Sequence, residues 1–161
     1  MQYIKKDITT VTTGIVLHSV NCQGVMGSGV ALAIKRKWPQ AFQSYLEFCD
    51  TESISETSPH IHDTSLLLGK VNMVEVSDNL FVANLFGQQF YGNDGKTYAS
   101  PFAFTVGVAD VFWIADEHNL PIYTVKIGSV RGGLNWDKDV APIFEANELW
   151  YPLVPVWVCD V

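Results

Sequence analysis

The sequence predicts one α/β domain over residues 1–161, and three observations carry that expectation. Apolar runs of strand length alternate with segments of helical periodicity, and the chain ends on a strand. Two glycine-rich loops each follow a buried apolar run. The 161 residues, 48% hydrophobic and 17% charged, fit a single core and lie far from the composition of a disordered chain.

The elements follow in order. Tyr3-Ile4 begins an N-terminal strand, and Gly14 to Val20 is a near-continuous apolar run, as a strand buried on both faces requires. After the first glycine loop, Val30, Ala31, Ile34 and Trp38 recur at helical spacing. Lys35, Arg36 and Lys37 fill the last turn of that helix, where cations suit the helix dipole. Pro39 restarts the chain, and Ala41 to Cys49 forms a second helix with Phe42, Tyr45, Leu46 and Cys49 on one face. Residues 51–65, rich in Ser, Thr, Glu and His, form a surface loop. Leu66 to Val76 and Asn79 to Phe86 are expected strands, paired as a hairpin through Ser77-Asp78-Asn79. Gly87 to Ser100 is a polar and aromatic loop, and Pro101 to Asn119 is a helix. Pro121 to Ile127 is an expected buried strand, followed by the second glycine loop, Gly128 to Gly133. Trp136 to Asn147 forms a helix that accommodates Pro142 early, and Pro155 to Val158 supplies the last strand.

Ten basic residues against seventeen acidic ones leave a formal net charge of -7. That balance disfavours duplex DNA as the main partner, because phosphate neutralisation dominates such binding. A small anionic ligand remains compatible, since backbone amides bind phosphate without net basic charge. The N-terminus turns polar too early for a secretory leader, and no apolar run approaches the roughly 18 residues of a membrane helix. Cys22, Cys49 and Cys159 are far apart with no CxxC spacing, so neither a disulfide framework nor a metal site is expected. The expected protein is reduced, cytoplasmic, monomeric, without membrane attachment and without a cofactor.

The chemistry concentrates in the glycine loops. In Asn21-Cys22-Gln23-Gly24-Val25-Met26-Gly27-Ser28-Gly29, the glycines let backbone turn sharply and approach a ligand. The next helix directs its free N–H groups at the loop, which suits a diphosphate or a ribose oxygen. By itself the loop is equally a tight strand-to-helix connection. It has neither Rossmann nor P-loop spacing. The second loop, Ile127 to Trp136, lies at the same sheet edge, and Arg131 is either a phosphate contact or a solvated loop arginine.

Lys6-Asp7-Ile8, His18 to Gly24, Gly27-Ser28-Gly29-Val30-Ala31 and Ile127 to Trp136 together resemble a macrodomain. So do Trp38-Pro39, Tyr45, Leu68-Gly69-Lys70 and Asn84-Leu85-Phe86. More narrowly, the chain is similar to the branch of ADP-ribose 1″-phosphate phosphatases and their relatives, the DNA and protein ADP-ribosyl glycohydrolases. The resemblance implies a three-layer α/β/α sandwich with a mixed, mostly parallel central sheet and a cleft for ADP-ribose. It implies that Asp7 accepts from the adenine amino group and Ile8 lies against the base. It implies that Asn21 contacts the distal ribose. Gly27, Ser28, Gly29 and Val30 line that ribose and the diphosphate. Ser129, Val130, Arg131, Gly132 and Gly133 wrap the diphosphate from the other side, and Ile127 and Gly128 belong to the same ligand-binding set.

His18 precedes the first loop and alternates with Val16 and Val20, so it can project toward the cleft or remain a core histidine. Asp94 lies in turn chemistry of its own, Asn93-Asp94-Gly95. In the phosphatase branch, a strand-end histidine and an acid in this later loop resemble the catalytic pair, so His18 and Asp94 are the expected catalytic residues, with Asn21 beside them. The glycohydrolase relatives use a lysine after the Asn-Leu-Phe-like strand and an acid in the second loop. Here Gln88 and Gln89 follow the strand, and Gly132 stands at the acid's place. Three alternatives stay open: a phosphatase on ADP-ribose 1″-phosphate, a hydrolase removing ADP-ribose from protein or nucleic acid, and a non-catalytic ADP-ribose reader.

Overall fold

A computed structural model describes residues 1–58, 60–92, 94–129 and 131–160. Six strands form one sheet: β1 (Gln2–Lys5), β2 (Gly14–Asn21), β3 (Val71–Ser77), β4 (Leu80–Gln88), β5 (Ile122–Thr124) and β6 (Val156–Asp160). Their spatial order is β1-β6-β5-β2-β4-β3. All pairings are parallel except β3 with β4, the expected hairpin, whose turn uses Asn79 at φ 57°.

Two helical layers cover the sheet. Helices α3 (Pro101–His118) and α4 (Ala141–Trp150) pack on the face presented by Ile15, Leu17, Ala83 and Leu85. Helices α1 (Gly29–Lys37) and α2 (Pro39–Glu52) cover the other face, against Val16, Val82, Val20 and Phe86. The result is the expected three-layer sandwich with a mixed, mostly parallel sheet. Local signals set the helix ends. Ser100 accepts from Ala103 N at 3.2 Å and Pro101 occupies the first turn of α3. Asn119, at φ 52°, closes α3 by donating its amide to Ala115 O.

Three boundaries differ from expectation. The strand expected from Leu66 begins only at Val71, because Asp63 caps a 3-10 turn over Thr64–Leu67 and Gly69 takes φ +83°. The strand expected to run to Ile127 stops at Thr124. Beyond it Ile127 N donates to Val125 O at 2.7 Å, a γ-turn that takes the chain out of the sheet. The helix expected from Trp136 opens as a π-type turn over Trp136–Val140, and regular α-helix starts at Ala141 with Pro142 in its first turn.

Gly107 lets α3 close on β4. A Cβ there would lie 2.6 Å from Leu85 Cγ, and Leu85 is fully buried. Alanine improves helix propensity by about 1 kcal/mol, but overfilling a packed core costs about 1–3 kcal/mol. Gly107→Ala is therefore expected to lower stability by about 1 kcal/mol in urea unfolding, and a raised midpoint would refute this close approach.

Candidate functional site

After β2 the chain turns toward β4 and β3, and after β5 it turns toward β6 and β1. The crevice between the carboxyl ends of β2 and β5 is therefore the switch point where α/β sheets bind ligands. It holds a cavity of about 770 Å³, within the size range of ligand pockets.

The first wall comes from β2 and α1. His18, Asn21, Val25, Gly27, Ser28, Gly29 and Val30 line it. The Ser28 side chain makes no capping bond, so the first-turn amides of α1 are not capped by it where the helix meets the cavity. That positive helix end favours an anion. The loop is held from within. Asn21 Nδ2 donates to Val25 O at 2.8 Å, and its Oδ1 accepts from Gln23 N at 2.9 Å. The Tyr45 hydroxyl lies 2.7 Å from Asn21 O and 2.9 Å from Asn21 Oδ1, and accepts from Val25 N at 3.1 Å. Asn21 thus shapes the loop with the same carboxamide that the resemblance directs at the ribose. Burial raises the Tyr45 phenol well above its ordinary value, which keeps it a donor.

The second wall is the loop after β5. Ile127, Gly128, Ser129, Arg131 and Gly132 line the cavity; Val130 lies outside the described residues. Gly128 takes φ +75° and its carbonyl accepts from Leu134 N at 2.9 Å. A Cβ on Gly132 would meet Gly128 O at 2.4 Å, so only glycine fits this fold-back. Gly132 O in turn accepts from Tyr98 N and Ala99 N, both at 3.0 Å. Gly133 does not line the cavity; it abuts the Lys96–Thr97 backbone.

His18 is buried at 1% exposure and lines the cavity. Its Nε2 meets Asn84 Oδ1 at 2.5 Å, while Nδ1 has no hydrogen-bond partner among the described residues. Burial pushes the imidazole down to about 4, with the Asn84 hydrogen bond opposing the shift. The ring is therefore neutral at neutral pH.

Other expected site residues stand apart. Asp94 does not line the cavity, although Gly92 does. The Tyr98 hydroxyl lies 2.9 Å from each Asp94 carboxylate oxygen, and Lys96 N donates to it at 3.2 Å. These bonds hold the carboxyl below its usual value. Asp7 accepts from Thr9 N and Thr9 Oγ1, capping a 3-10 turn just past β1, outside the lining. Ile8 is buried in the core shared with Ile34 and Trp38. Sequence reasoning missed Lys126, Tyr91, Cys159 and Asp160, all of which line the cavity. Lys126 sits directly before the second loop and had a local signal. Cys159 and Asp160 reach the site only through the β5–β6 and β1–β6 pairings.

The Macro domain family profile matches residues 17–67. The macrodomain of Mycobacterium tuberculosis DarG superposes with a TM-score of 0.78 at 22% identity, over 99% of this chain and 97% of that one. This chain folds as a macrodomain. Among sequence relatives, an ADP-ribose 1″-phosphate phosphatase of Debaryomyces hansenii is 32% identical over 113 residues, 60% of this chain and 59% of the relative. A DNA ADP-ribosyl glycohydrolase of Mycobacterium tuberculosis is 25% identical over 139 residues, 84% of this chain and 35% of the relative. The chain thus spans under two thirds of the length of either. The segment matched by the family profile begins on β2 and includes His18, the first loop and α1.

The buried imidazole makes stability depend on pH. Unfolded, it takes its proton near the ordinary 6.5; folded, only near 4. Between these values the unfolded chain binds more protons, so stability is full above 6.5 and falls as pH drops toward 4. Between about pH 7.5 and about pH 5 the expected loss from this group is about 2 kcal/mol. Urea unfolding of the parent and His18→Gln at both pH values isolates it; equal losses in the two proteins would contradict a neutral buried His18.

Proposed function

We propose that this macrodomain binds ADP-ribose in the cavity between the two glycine loops and hydrolyses ADP-ribose 1″-phosphate to ADP-ribose and phosphate. One observation carries the reading: His18 lines the same cavity as the N-terminus of α1 and the second glycine loop. The phosphatase relatives support it, with identities of 30–34% among four of them.

Phosphoryl transfer from a monoester needs positioning and charge stabilisation more than covalent chemistry. The α1 amides and the second loop, with Lys126 and Arg131 beside it, supply positive charge to a lining that also carries Asp160. Neutral His18 accepts a hydrogen from the attacking water. The water oxygen forms the new bond to phosphorus and the bond from phosphorus to the ribose oxygen breaks. The proton that water gives up ends on the departing ribose hydroxyl, so no further reactant is consumed. Asp94, held by Tyr98 outside the lining but two residues from the cavity-lining Gly92, is the second group assigned to the chemistry in this reading.

A second reading, removal of ADP-ribose from a nucleic acid or protein, is favoured by the match to the glycohydrolase over 84% of this chain. Gln88 and Gly132 stand where that branch uses a lysine and an acid, which makes it the weaker of the two.

Calorimetric titration with ADP-ribose tests the binding half, and no heat at millimolar ligand would end the proposal. Phosphate release from ADP-ribose 1″-phosphate tests the chemical half. His18→Ala is expected to lower kcat about 100-fold or more, with ADP-ribose affinity changing less than about threefold, and Asp94→Ala to lower kcat at unchanged affinity. Unchanged turnover in both variants would remove the catalytic assignment and leave the fold intact.

A further inference from the structure

A row of buried polar side chains runs from His18 across the sheet, away from the cavity. His18, Asn84 and Asn72 are direct register partners on β2, β4 and β3. Asn84 Nδ2 donates to Ala41 O at 3.2 Å and to Asn72 Oδ1 at 3.0 Å. Asn72 Nδ2 then donates to Ser44 Oγ at 3.2 Å on α2. Asn84 is fully buried and Asn72 nearly so. An asparagine pair in a strand core is costly unless every group is paired, so its orientation is strongly constrained.

The constraint has one unambiguous anchor. A carboxamide can be turned end for end, and a hydroxyl can rotate, but the Ala41 carbonyl can only accept. Asn84 must therefore face it with Nδ2, which turns Oδ1 toward His18. Oδ1 can only accept, so the nitrogen facing it, Nε2, must carry the hydrogen. In a neutral imidazole, Nδ1 then holds the lone pair. Nδ1 is buried, has no partner among the described residues, and belongs to a ring that lines the cavity. An unpaired buried acceptor is expensive in a structural histidine, and it is what a group that receives a hydrogen from a water or a ligand hydroxyl requires.

We infer that Asn84, anchored by the Ala41 carbonyl and by Asn72, is a positioning residue that locks His18 in the Nε2-protonated tautomer and makes Nδ1 its working nitrogen. This deepens the reading of His18 as the group that orients the attacking water, and it rests on that reading for its role in turnover. It also sets what His18 accepts. At neutral pH Nδ1 takes an O–H donor, such as water or a ribose hydroxyl, and repels a bare phosphate oxygen. The anion is then left to the α1 amides and the second loop, and the water to His18.

The tautomer can be measured without any assay of turnover. Histidine labelled with ¹⁵N in the full chain gives long-range ¹H–¹⁵N correlations for four side chains, and His18→Gln identifies the one that disappears. In the parent near neutral pH, Nε2 of His18 is expected in the protonated, pyrrole-type range and Nδ1 in the unprotonated, pyridine-type range. The reverse pattern, or an averaged pair of shifts, would overturn the inference on the parent spectrum alone. Asn84→Leu, of similar size but without the acceptor, should collapse it toward an averaged pair and lower kcat at least tenfold while KM changes little. A folded Asn84→Leu protein that retains the parent's shifts would remove Asn84 as the cause. If the parent has the expected tautomer but releases no phosphate from ADP-ribose 1″-phosphate, the phosphatase reading fails and the locked tautomer stands. If phosphate is released by a protein with the opposite tautomer, the reverse holds.

Discussion

The site depends on one constraint: β2 runs parallel to both of its neighbours, β4 and β5, and is buried by helices on both faces. Parallel pairing puts the carboxyl ends of three adjacent strands at one sheet edge. Because the chain leaves β2 and β5 in opposite directions, no connection covers the space between those ends. The two glycine loops are what remains to close it, and a cavity results. Burial of β2 on both faces also explains His18. Its neighbours two residues away, Val16 and Val20, face the helices α1 and α2, so His18 enters the same dry layer and needs the asparagines of β4 and β3 to be accommodated there.

Much of the architecture was legible in the sequence because its signals are local. The apolar run Gly14 to Val20, the hairpin at Ser77-Asp78-Asn79, and the proline and serine at the start of α3 each carry their own physical cause. Both glycine loops were legible for the same reason. The errors fall where a local turn cut short a stretch of strand-like composition. Val125 to Ile127 have strand-like composition, yet a γ-turn removes them from the sheet to line the cavity. Leu66 and Leu67 belong to an apolar stretch, yet Asp63 and Gly69 make a turn of it.

Side-chain destinations were harder to read than backbone positions. Asn21 was visible as a polar residue at a strand end, but nothing local indicated that Tyr45, on α2, would occupy its oxygens. The fate of Ile8 depends on α1 packing over it. The pairing of His18 with Asn84 needs the β2–β4 register, which no single stretch of sequence encodes. Conversely, Cys159 and Asp160 come to the cavity only because β6 is parallel to both β1 and β5.

Tyr98 has a consequence of its own. Its amide binds Gly132 O under the second loop, its ring abuts Gly92 at the cavity rim, and its hydroxyl grips Asp94. In a linkage of rigid bars, this residue is the shared pin. The floor, the rim and the outer carboxylate have a common fulcrum: the floor turns on its backbone, and the rim and the carboxylate on its ring.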